Sequence, residues 1–582
     1  MGNVGTASKQ TPAGSPRLLL ATFPGPYSLE AAVQEMRRLG VPAENIGYTR
    51  TDHSYLLSVF PPHGRRELVV FSLHEQGASA VGSPQELGLD YRSIPHPGAS
   101  EDHDLKLPWG REYPATDGPP PLSQGRVHSR RLPKEQRVSS FNELEPGLDW
   151  ADAQREASRC LHCPEPRCIT GCPAGNDIPG FVRAIRDGDP ARGIALLRHT
   201  SAFPAICGRV CDVARQCEGA CVLGTEGEPV AIGALERTLG DWAREHEGPS
   251  TKAGAPTGPA VAIVGAGPAG LAAAADLASW GHPVTIFEAL PVAGGAMAWG
   301  IPAFRLPTPV LQEEIDRIRS LGVEIRLSAA LGPGLSTDDL LRQGYQAVLV
   351  AAGTSASTRA RMQGEELAAV HTATRFLTQA KLGRCYQHPS YQAPTPGERL
   401  VVVGGGNTAM DVAQTALRLG WGQVTVAYRR SRDEMPARRE EVEGALEEGV
   451  ELQFQASPAQ VLADGKGSVV ALECLKTELG PPDASGRRSP VAMPGSEFAL
   501  RADTVVLALG YALDPDLASA LPGVVAQSKS VVEANAGTGR TSRSGIWAAG
   551  DIVTGADTVV RAMAFGRRAA RDIHRYLTVG RP

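Results

Sequence analysis

Cysteines are the residues of this chain best able to do chemistry, and most of them are clustered. The sequence has ten cysteines, eight of which lie between residues 160 and 221. They form two sets of four, which are Cys160, Cys163, Cys168 and Cys172, then Cys207, Cys211, Cys217 and Cys221. Thiolates at such short spacings are typical ligands of zinc or of iron–sulfur clusters. The sequence therefore predicts a metal-binding segment here.

The spacing within the first set favours iron–sulfur clusters. It reads C-x2-C-x4-C-x3-C-P, close to the bacterial ferredoxin run in which the fourth cysteine ligates a second cluster. We therefore expect two 4Fe-4S clusters, with Cys172 crossing over. A disulfide framework is disfavoured because such frameworks belong to short secreted domains, whereas this chain has 582 residues and no secretory signal. Zinc is disfavoured because the CxxC spacing occurs only at Cys160 and Cys163.

A glycine-rich loop follows a predicted strand at residues 261–264 and opens a helix. It has the GxGxxG pattern, with Gly265, Gly267 and Gly270. Such glycines let the backbone approach a pyrophosphate at the helix N-terminus. The next predicted strand ends at Glu288, where a carboxylate can accept a ribose hydroxyl. This pattern predicts an adenosine ribose without a 2′-phosphate, as in FAD or NAD.

A second strand–loop–helix unit begins at residue 400 and includes Gly404, Gly406 and Asn407. Its next strand ends at Arg429 and Arg430 instead of an acid. Guanidinium groups at this position suit a 2′-phosphate, so the unit predicts NADPH rather than NADH. Solvated surface arginines are the alternative, and we expect no more than that of Arg432, Arg438 and Arg439.

A strand near the C-terminus ends in Gly550 and Asp551. A carboxylate there can hold a ribityl hydroxyl while the next helix faces a flavin carbonyl. The first dinucleotide site is therefore predicted to bind FAD, and Gly295 is counted with its cofactor-binding residues. The FAD domain must then be discontinuous, with the NADPH domain inserted in it.

Hydrophobic periodicity and linker composition place these sites in an α/β chain with a helical iron–sulfur domain and two nested Rossmann-like domains. Helices are predicted at 150–159, 179–187, 190–199 and 230–245. The predicted segments are disorder at 1–14, a small α/β unit without an assigned role at 15–93, a linker at 94–133, the helical 4Fe-4S domain at 134–248, the FAD domain at 259–375 and 500–582, and the NADPH domain at 376–499. The small unit is predicted to contain strands at 18–23, 55–60 and 67–73 and a helix at 29–39.

Composition excludes two classes of partner. The formal net charge of −5 provides no basic field for nucleic acid. The longest charge-free apolar stretch, residues 259–275, is shorter than a membrane span and contains the first glycine loop. We therefore expect a cytoplasmic protein that binds neither nucleic acid nor membrane.

Several stretches together resemble one family. They are residues 160–163 (CLHC), 171–173 (GCP), 203–211 (FPAICGRVC), 300–302 (GIP), 304–307 (FRLP), 428–430 (YRR) and 434–437 (EMPA). From about residue 134 onward the chain resembles the glutamate synthase small (beta) subunit. It is also similar to the large subunit of NADH-dependent ferredoxin:NADP oxidoreductase and to the FAD/NADP portion of dihydropyrimidine dehydrogenase.

The resemblance implies which residues hold the clusters. One cluster falls to Cys160, Cys163, Cys168 and Cys221, and the other to Cys172, Cys211, Cys217 and Glu236. Cys207 occupies a position that resembles a non-ligand, although a thiolate is a softer ligand than a carboxylate. Asn407 stands where many glutamate synthase subunits have an aspartate, and residues 207–211 look closer to the ferredoxin-linked relatives.

The resemblance also implies a function, which is to pass electrons from NADPH through FAD and the clusters to a partner. The expected partner is the large (alpha-like) catalytic subunit of glutamate synthase or a ferredoxin, with a pyrimidine-reducing subunit as a further alternative. A disulfide reductase would need a paired redox CxxC beside the flavin, whereas Cys385 and Cys474 stand alone. A complete glutamate synthase would need a nucleophilic cysteine ahead of Cys160, where the sequence has none. An iron or redox sensor is the non-enzymatic alternative, and no catalytic residue is assigned.

Overall fold

The structure is a computed structural model that describes residues 19–23, 36, 46–50, 55–59, 80–82, 125–248, 256–483, 486–524, 526–528 and 531–579. The chain divides into two compact units, residues 1–119 and 120–582. The predicted disordered segment 1–14 and the predicted strand 67–73 lie outside the described residues. So do most of the predicted helix 29–39 and the predicted linker as far as residue 124.

In the first unit, four described strands form an antiparallel sheet. Their order across the sheet is Ile46–Arg50, Tyr55–Val59, Leu19–Phe23 and Ala80–Gly82. Strands are therefore present where the sequence predicted them at 18–23 and 55–60.

The cysteine-rich part of the second unit is helical. Its α-helices are Lys134–Ser139, Trp150–Ala157, Arg167–Gly171, Ile178–Arg186, Pro190–Thr200, Pro204–Val210 and Ile232–His246. Asp149, Asp177 and Asp189 each cap a helix by accepting a backbone N–H bond, which explains why these helices begin where they do. All four predicted helices are present with ends shifted by at most two residues.

The first parallel sheet contains five described strands, in the order Ile546–Ala548, Ala347–Val350, Val261–Val264, Val284–Phe287 and Glu324–Arg326. Its four strands from Ile546–Ala548 to Val284–Phe287 are buried throughout, as expected for a sheet covered on both faces. Helices Pro268–Ser279 and Val559–Val579 pack closely together. Their approach depends on Gly566, since a Cβ there would lie 2.1 Å from the carbonyl oxygen of Ala269.

The second parallel sheet also contains five described strands, in the order Val370–Thr372, Thr504–Leu507, Arg399–Val403, Gln423–Tyr428 and Glu451–Phe454. This sheet includes residues outside the predicted NADPH segment 376–499, because strands Val370–Thr372 and Thr504–Leu507 belong to it. The sequence placed both strands in the FAD domain. Periodicity identifies a short strand but not the sheet it joins, and only the hydrogen-bonded pairing decides this.

Two antiparallel pairings complete the second unit. Strands Ala456–Ala463, Val469–Pro482 and Arg488–Arg501 form a sheet attached to the second parallel sheet. Ala356–Ser357 pairs with Tyr511–Ala512 where the chain crosses between the two parallel sheets. None of the helices in the described residues has the length and apolar composition needed to cross a bilayer.

Candidate functional site

The first predicted ligand set lies around one cavity. Cys160, Cys163, Cys168 and Cys221 line it, together with the apolar residues Ile178, Val182 and Ile232. Burial raises the pKa of the Cys160 thiol to about 11 and that of Cys168 to about 12, and neighbouring thiols add to both shifts. Four thiols facing one apolar cavity from separate elements fit the outside of a 4Fe-4S cluster.

The second predicted ligand set is more deeply buried. Cys211 and Cys217 are buried, and Glu236 is 6% exposed on helix Ile232–His246. Burial is the main cause of the raised pKa of Cys172 and Cys217, and the carboxylate of Glu236 raises both further. The pKa of Glu236 itself is raised to about 8 by burial, although Asn176 Nδ2 donates a bond of 3.3 Å to it.

Cys207 lies beside this second set. Its carbonyl accepts the N–H of Cys211 at 3.0 Å, and the neighbouring Cys207 thiol is the first cause of the raised pKa of Cys211, followed by burial. The Ser201 hydroxyl donates to the Cys207 sulfur at 4.0 Å. Within the described residues, no three His, Cys, Asp or Glu side chains converge on a position for a single metal ion.

The first glycine loop forms a cradle that side chains would fill. Gly265 has a φ of +102°, and a Cβ there would lie 2.5 Å from the Ala351 carbonyl oxygen. A Cβ on Gly295 would lie 2.6 Å from Gly267 Cα, and one on Gly270 would lie 2.0 Å from the Gly265 carbonyl oxygen. The loop therefore offers backbone N–H groups at a helix N-terminus, which is the arrangement that binds a pyrophosphate.

Glu288 lies at the end of the neighbouring strand, where the sequence predicted it. Its Oε2 accepts the N–H of Ala266 at 2.7 Å, and its Oε1 accepts the N–H of Leu290 at 2.8 Å. Burial raises the pKa of Glu288, while these amides lower it. Each carboxylate oxygen keeps a second lone pair, so a ribose hydroxyl can still donate to it.

Gly550 and Asp551 approach helix Pro268–Ser279, which follows the first glycine loop, from the side opposite Glu288. Gly550 has a φ of +78°, and a Cβ there would lie 2.9 Å from the Cβ of Ala269. Asp551 begins the short helix Asp551–Thr554, and burial raises the pKa of its carboxyl group to about 7. The structure thus brings Gly265, Gly267, Gly270, Gly295, Glu288, Gly550 and Asp551 to one edge of the first parallel sheet.

The second glycine loop opens onto a cavity of about 580 Å³. This volume lies within the usual range for small-molecule pockets. A Cβ on Gly404 would lie 2.4 Å from the Ala508 carbonyl oxygen, whereas nothing lies within 4 Å of the Cβ position of Gly406. Asn407 begins the next helix, and its Oδ1 accepts the N–H of Arg438 at 2.8 Å.

The two strand-end arginines both line this cavity but differ in their partners. Arg429 is exposed. Arg430 is 5% exposed, and its Nη2 donates to Asp483 Oδ2 at 2.6 Å. The sequence analysis missed Arg487 and Tyr511, which also line the cavity. Neither carries a local signal, because each comes from an element far along the chain from the loop.

The prediction that Arg438 is a solvated surface arginine is wrong. The sequence placed it among solvated arginines, yet its side chain is 13% exposed and its Nη1 donates to the Cys211 carbonyl at 2.8 Å. Arg439 is exposed, as predicted. Arg438 therefore connects the second glycine loop, through Asn407, to the backbone of a predicted cluster ligand.

Two family models match the chain over these regions. Residues 137–248 match dihydropyrimidine dehydrogenase domain II, 4Fe-4S cluster. Residues 259–566 match the pyridine nucleotide-disulphide oxidoreductase family. Among curated relatives, the NADPH glutamate synthase small chain of Escherichia coli is 37% identical over 461 residues, covering 78% of this chain and 98% of that protein.

The chain belongs to the glutamate synthase small-chain family. As a member of this family it is an NADPH-dependent oxidoreductase with FAD, NADPH and 4Fe-4S sites. The predicted family, the fold class and the NADPH-dependent oxidoreductase activity are therefore confirmed.

Other relatives of this glutamate synthase small-chain family member carry different names. The beta subunit of NADP(+)-dependent formate dehydrogenase from Moorella thermoacetica is 42% identical over 438 residues, covering 71% of this chain and 60% of that subunit. The beta subunit of NADPH-Fe(3+) oxidoreductase from Geobacter sulfurreducens is 39% identical and covers 71% and 64%. The chain thus spans less than two thirds of these two proteins. The solved structure of Mycobacterium tuberculosis FprA with NADPH has a TM-score of 0.46 at 20% identity, covering 55% of this chain and 86% of that one.

Proposed function

We propose that this chain passes electrons from NADPH through FAD and two 4Fe-4S clusters to the large catalytic subunit of a glutamate synthase. The observation that carries the proposal is the contact of Arg438 with both Asn407 and the Cys211 carbonyl. Through these two hydrogen bonds, Arg438 connects the predicted NADPH domain to Cys211, a predicted ligand of the second cluster. Electron transfer also requires the flavin and a cluster to lie close together, and Cys211 packs in the same hydrophobic core as Ala266 of the predicted FAD loop.

The two ligand sets support two clusters rather than one. Cys160, Cys163, Cys168 and Cys221 would hold the first, and Cys172, Cys211, Cys217 and Glu236 the second. When bound, FAD takes two electrons from NADPH as a hydride and releases them singly, and each cluster carries one electron at a time. Burial of Cys211, Cys217 and Glu236 would keep water from the second cluster.

The residues at the two strand ends support the choice of nucleotide. Glu288 would accept a ribose hydroxyl of FAD and repel a 2′-phosphate there. Gly265, Gly267, Gly270 and Gly295 would hold the pyrophosphate, and Gly550 and Asp551 the ribityl chain. In the second site, Gly404, Gly406 and Asn407 would hold the NADPH pyrophosphate, and the strand end that carries Arg429 and Arg430 would meet the 2′-phosphate.

The choice of partner is supported by the match to nearly the full length of the Escherichia coli small chain. A ferredoxin is the second candidate, because the Cys207–Cys211 stretch and Asn407 resemble the ferredoxin-linked relatives. Both candidates place electron exit at the clusters rather than at the flavin.

The proposal is tested by anaerobic assays with NADPH, with and without a large glutamate synthase subunit. Alone, the chain should bleach its flavin absorbance with NADPH and reduce an artificial acceptor but form no glutamate. With the large subunit, glutamate should form from glutamine and 2-oxoglutarate. Glutamate formation by the chain alone would contradict the proposal, and rapid ferredoxin reduction without glutamate formation would favour the second candidate.

A further inference from the structure

The cavity of the second nucleotide site is lined by three arginines from two elements. Arg429 and Arg430 follow strand Gln423–Tyr428 of the second parallel sheet. Arg487 precedes strand Arg488–Arg501 of the antiparallel sheet. These three guanidinium groups have different environments, which indicate different roles.

Arg430 is committed to protein partners. Its Nε donates to the Arg488 carbonyl at 2.7 Å, and its Nη2 donates to Asp483 Oδ2 at 2.6 Å. The carboxylate offsets the charge of Arg430, and a phosphate dianion bound there would also meet the negative charge of Asp483. Arg430 therefore contacts Asp483 and Arg488, which lie on either side of Arg487 along the chain.

Two further bonds hold the antiparallel sheet to the same strand end. The Thr477 hydroxyl donates to the Arg429 carbonyl at 2.7 Å, and the Gln455 N–H donates to the Arg430 carbonyl at 3.1 Å. The antiparallel sheet is thus held to the strand end that carries Arg429. In contrast to Arg430, Arg429 is exposed and has no ion-pair partner within the described part of the chain.

We infer that Arg429 and Arg487 bind the 2′-phosphate of NADPH, and that Arg430 with Asp483 is a positioning pair that holds Arg487 at the cavity. This inference rests on the proposed NADPH site and assigns a specificity role to the antiparallel sheet. The neighbouring Arg488 does not line the cavity, and its Nε donates to Glu434 at 2.5 Å. Two guanidinium forks from separate elements can contact a phosphate from two sides.

The experiment measures binding of 2′,5′-ADP, which carries the 2′-phosphate, and of 5′-AMP, which lacks it, by calorimetry on the flavin-loaded protein. Arg487→Ser should weaken 2′,5′-ADP by about tenfold to a hundredfold, since a charge-assisted contact is lost, and should leave 5′-AMP unchanged. The affinity of Arg487→Lys for 2′,5′-ADP should lie between those of the wild type and Arg487→Ser. Asp483→Asn should also weaken the binding of 2′,5′-ADP. The variant removes a negative charge, but it also breaks the ion pair with Arg430 that holds Arg487 at the cavity.

Arg439→Ser is the matched control, since Arg439 is 84% exposed and lies on the following helix. It removes the same charge and should leave both affinities unchanged. Equal losses in Arg439→Ser and Arg487→Ser would overturn the inference, as would wild-type affinity in Arg487→Ser. Unchanged or tighter 2′,5′-ADP binding in Asp483→Asn would instead make Arg430 a direct phosphate ligand. A wild-type protein that does not distinguish the two probes would overturn the NADPH assignment itself, and the inference with it.

Discussion

At the scale of single residues, the second ligand set has two possible fourth members. Glu236 raises the pKa of Cys172, Cys211 and Cys217, and Cys207 raises the pKa of Cys172 and Cys211, so both lie near this set. We predict that Glu236→Ala lowers the bound iron from about eight atoms per chain to roughly half, while Cys207→Ser keeps it. Iron and acid-labile sulfide analysis after anaerobic purification checks this. The reverse result would make Cys207 the ligand, and Cys385→Ala is the control for loss of an unrelated thiol.

Asp551 predicts a pH dependence of stability. Its folded pKa of about 7 is raised above the ordinary value of 3.8, chiefly by burial. A raised carboxyl pKa means that stability is lost as pH rises toward 7. The flavin-free wild type should therefore lose about 2 kcal/mol between pH 5.5 and 8 through this group. Asp551→Asn should lack that loss in thermal unfolding at the two pH values, whereas parallel curves for both proteins would refute the assignment.

At the scale of elements, the loop at residues 300–307 joins the two nucleotide domains. Arg305 forms ion pairs with Asp411 at 2.7 Å and Glu441 at 2.9 Å, on two helices beside the second sheet. Its side chain is 9% exposed, so removing it leaves the buried carboxylate of Asp411 without its ion-pair partner, while Glu441 keeps its pair with Arg438.

We predict that Arg305→Met lowers the free energy of unfolding by about 3 to 5 kcal/mol, since breaking a buried pair has costs of this size. Arg319→Met, which removes an exposed pair with Asp316, should cost less than about 1 kcal/mol. Urea unfolding of both variants checks the difference. Equal effects would show that the loop does not hold the two domains together.

At the scale of the whole molecule, the division after residue 119 separates a unit of unassigned role from the redox unit. The family matches begin at residue 137, within the second unit. Residues 120–582 expressed alone should therefore bind flavin, hold the full iron content and oxidise NADPH as the whole chain does. Absorbance spectra and acceptor assays of the two proteins check this, and loss of flavin from the shorter chain would contradict it.

The local patterns of the sequence determined much of this picture. Cysteine spacing and the glycine loops indicated clusters and dinucleotides, because these ligands require particular residues at short spacing. Helix starts were predictable at Asp149, Asp177 and Asp189, since capping is a local interaction.

Tertiary structure decided what depends on contacts between distant residues. It assigned strands Val370–Thr372 and Thr504–Leu507 to the second sheet, because pairing partners are not encoded in a strand's own period. It placed the Arg438 side chain at the Cys211 carbonyl rather than in solvent, and it placed Arg487 and Arg429 in the lining of one cavity. No spacing rule relates these residues, because the folding of separate elements against one another brings them together.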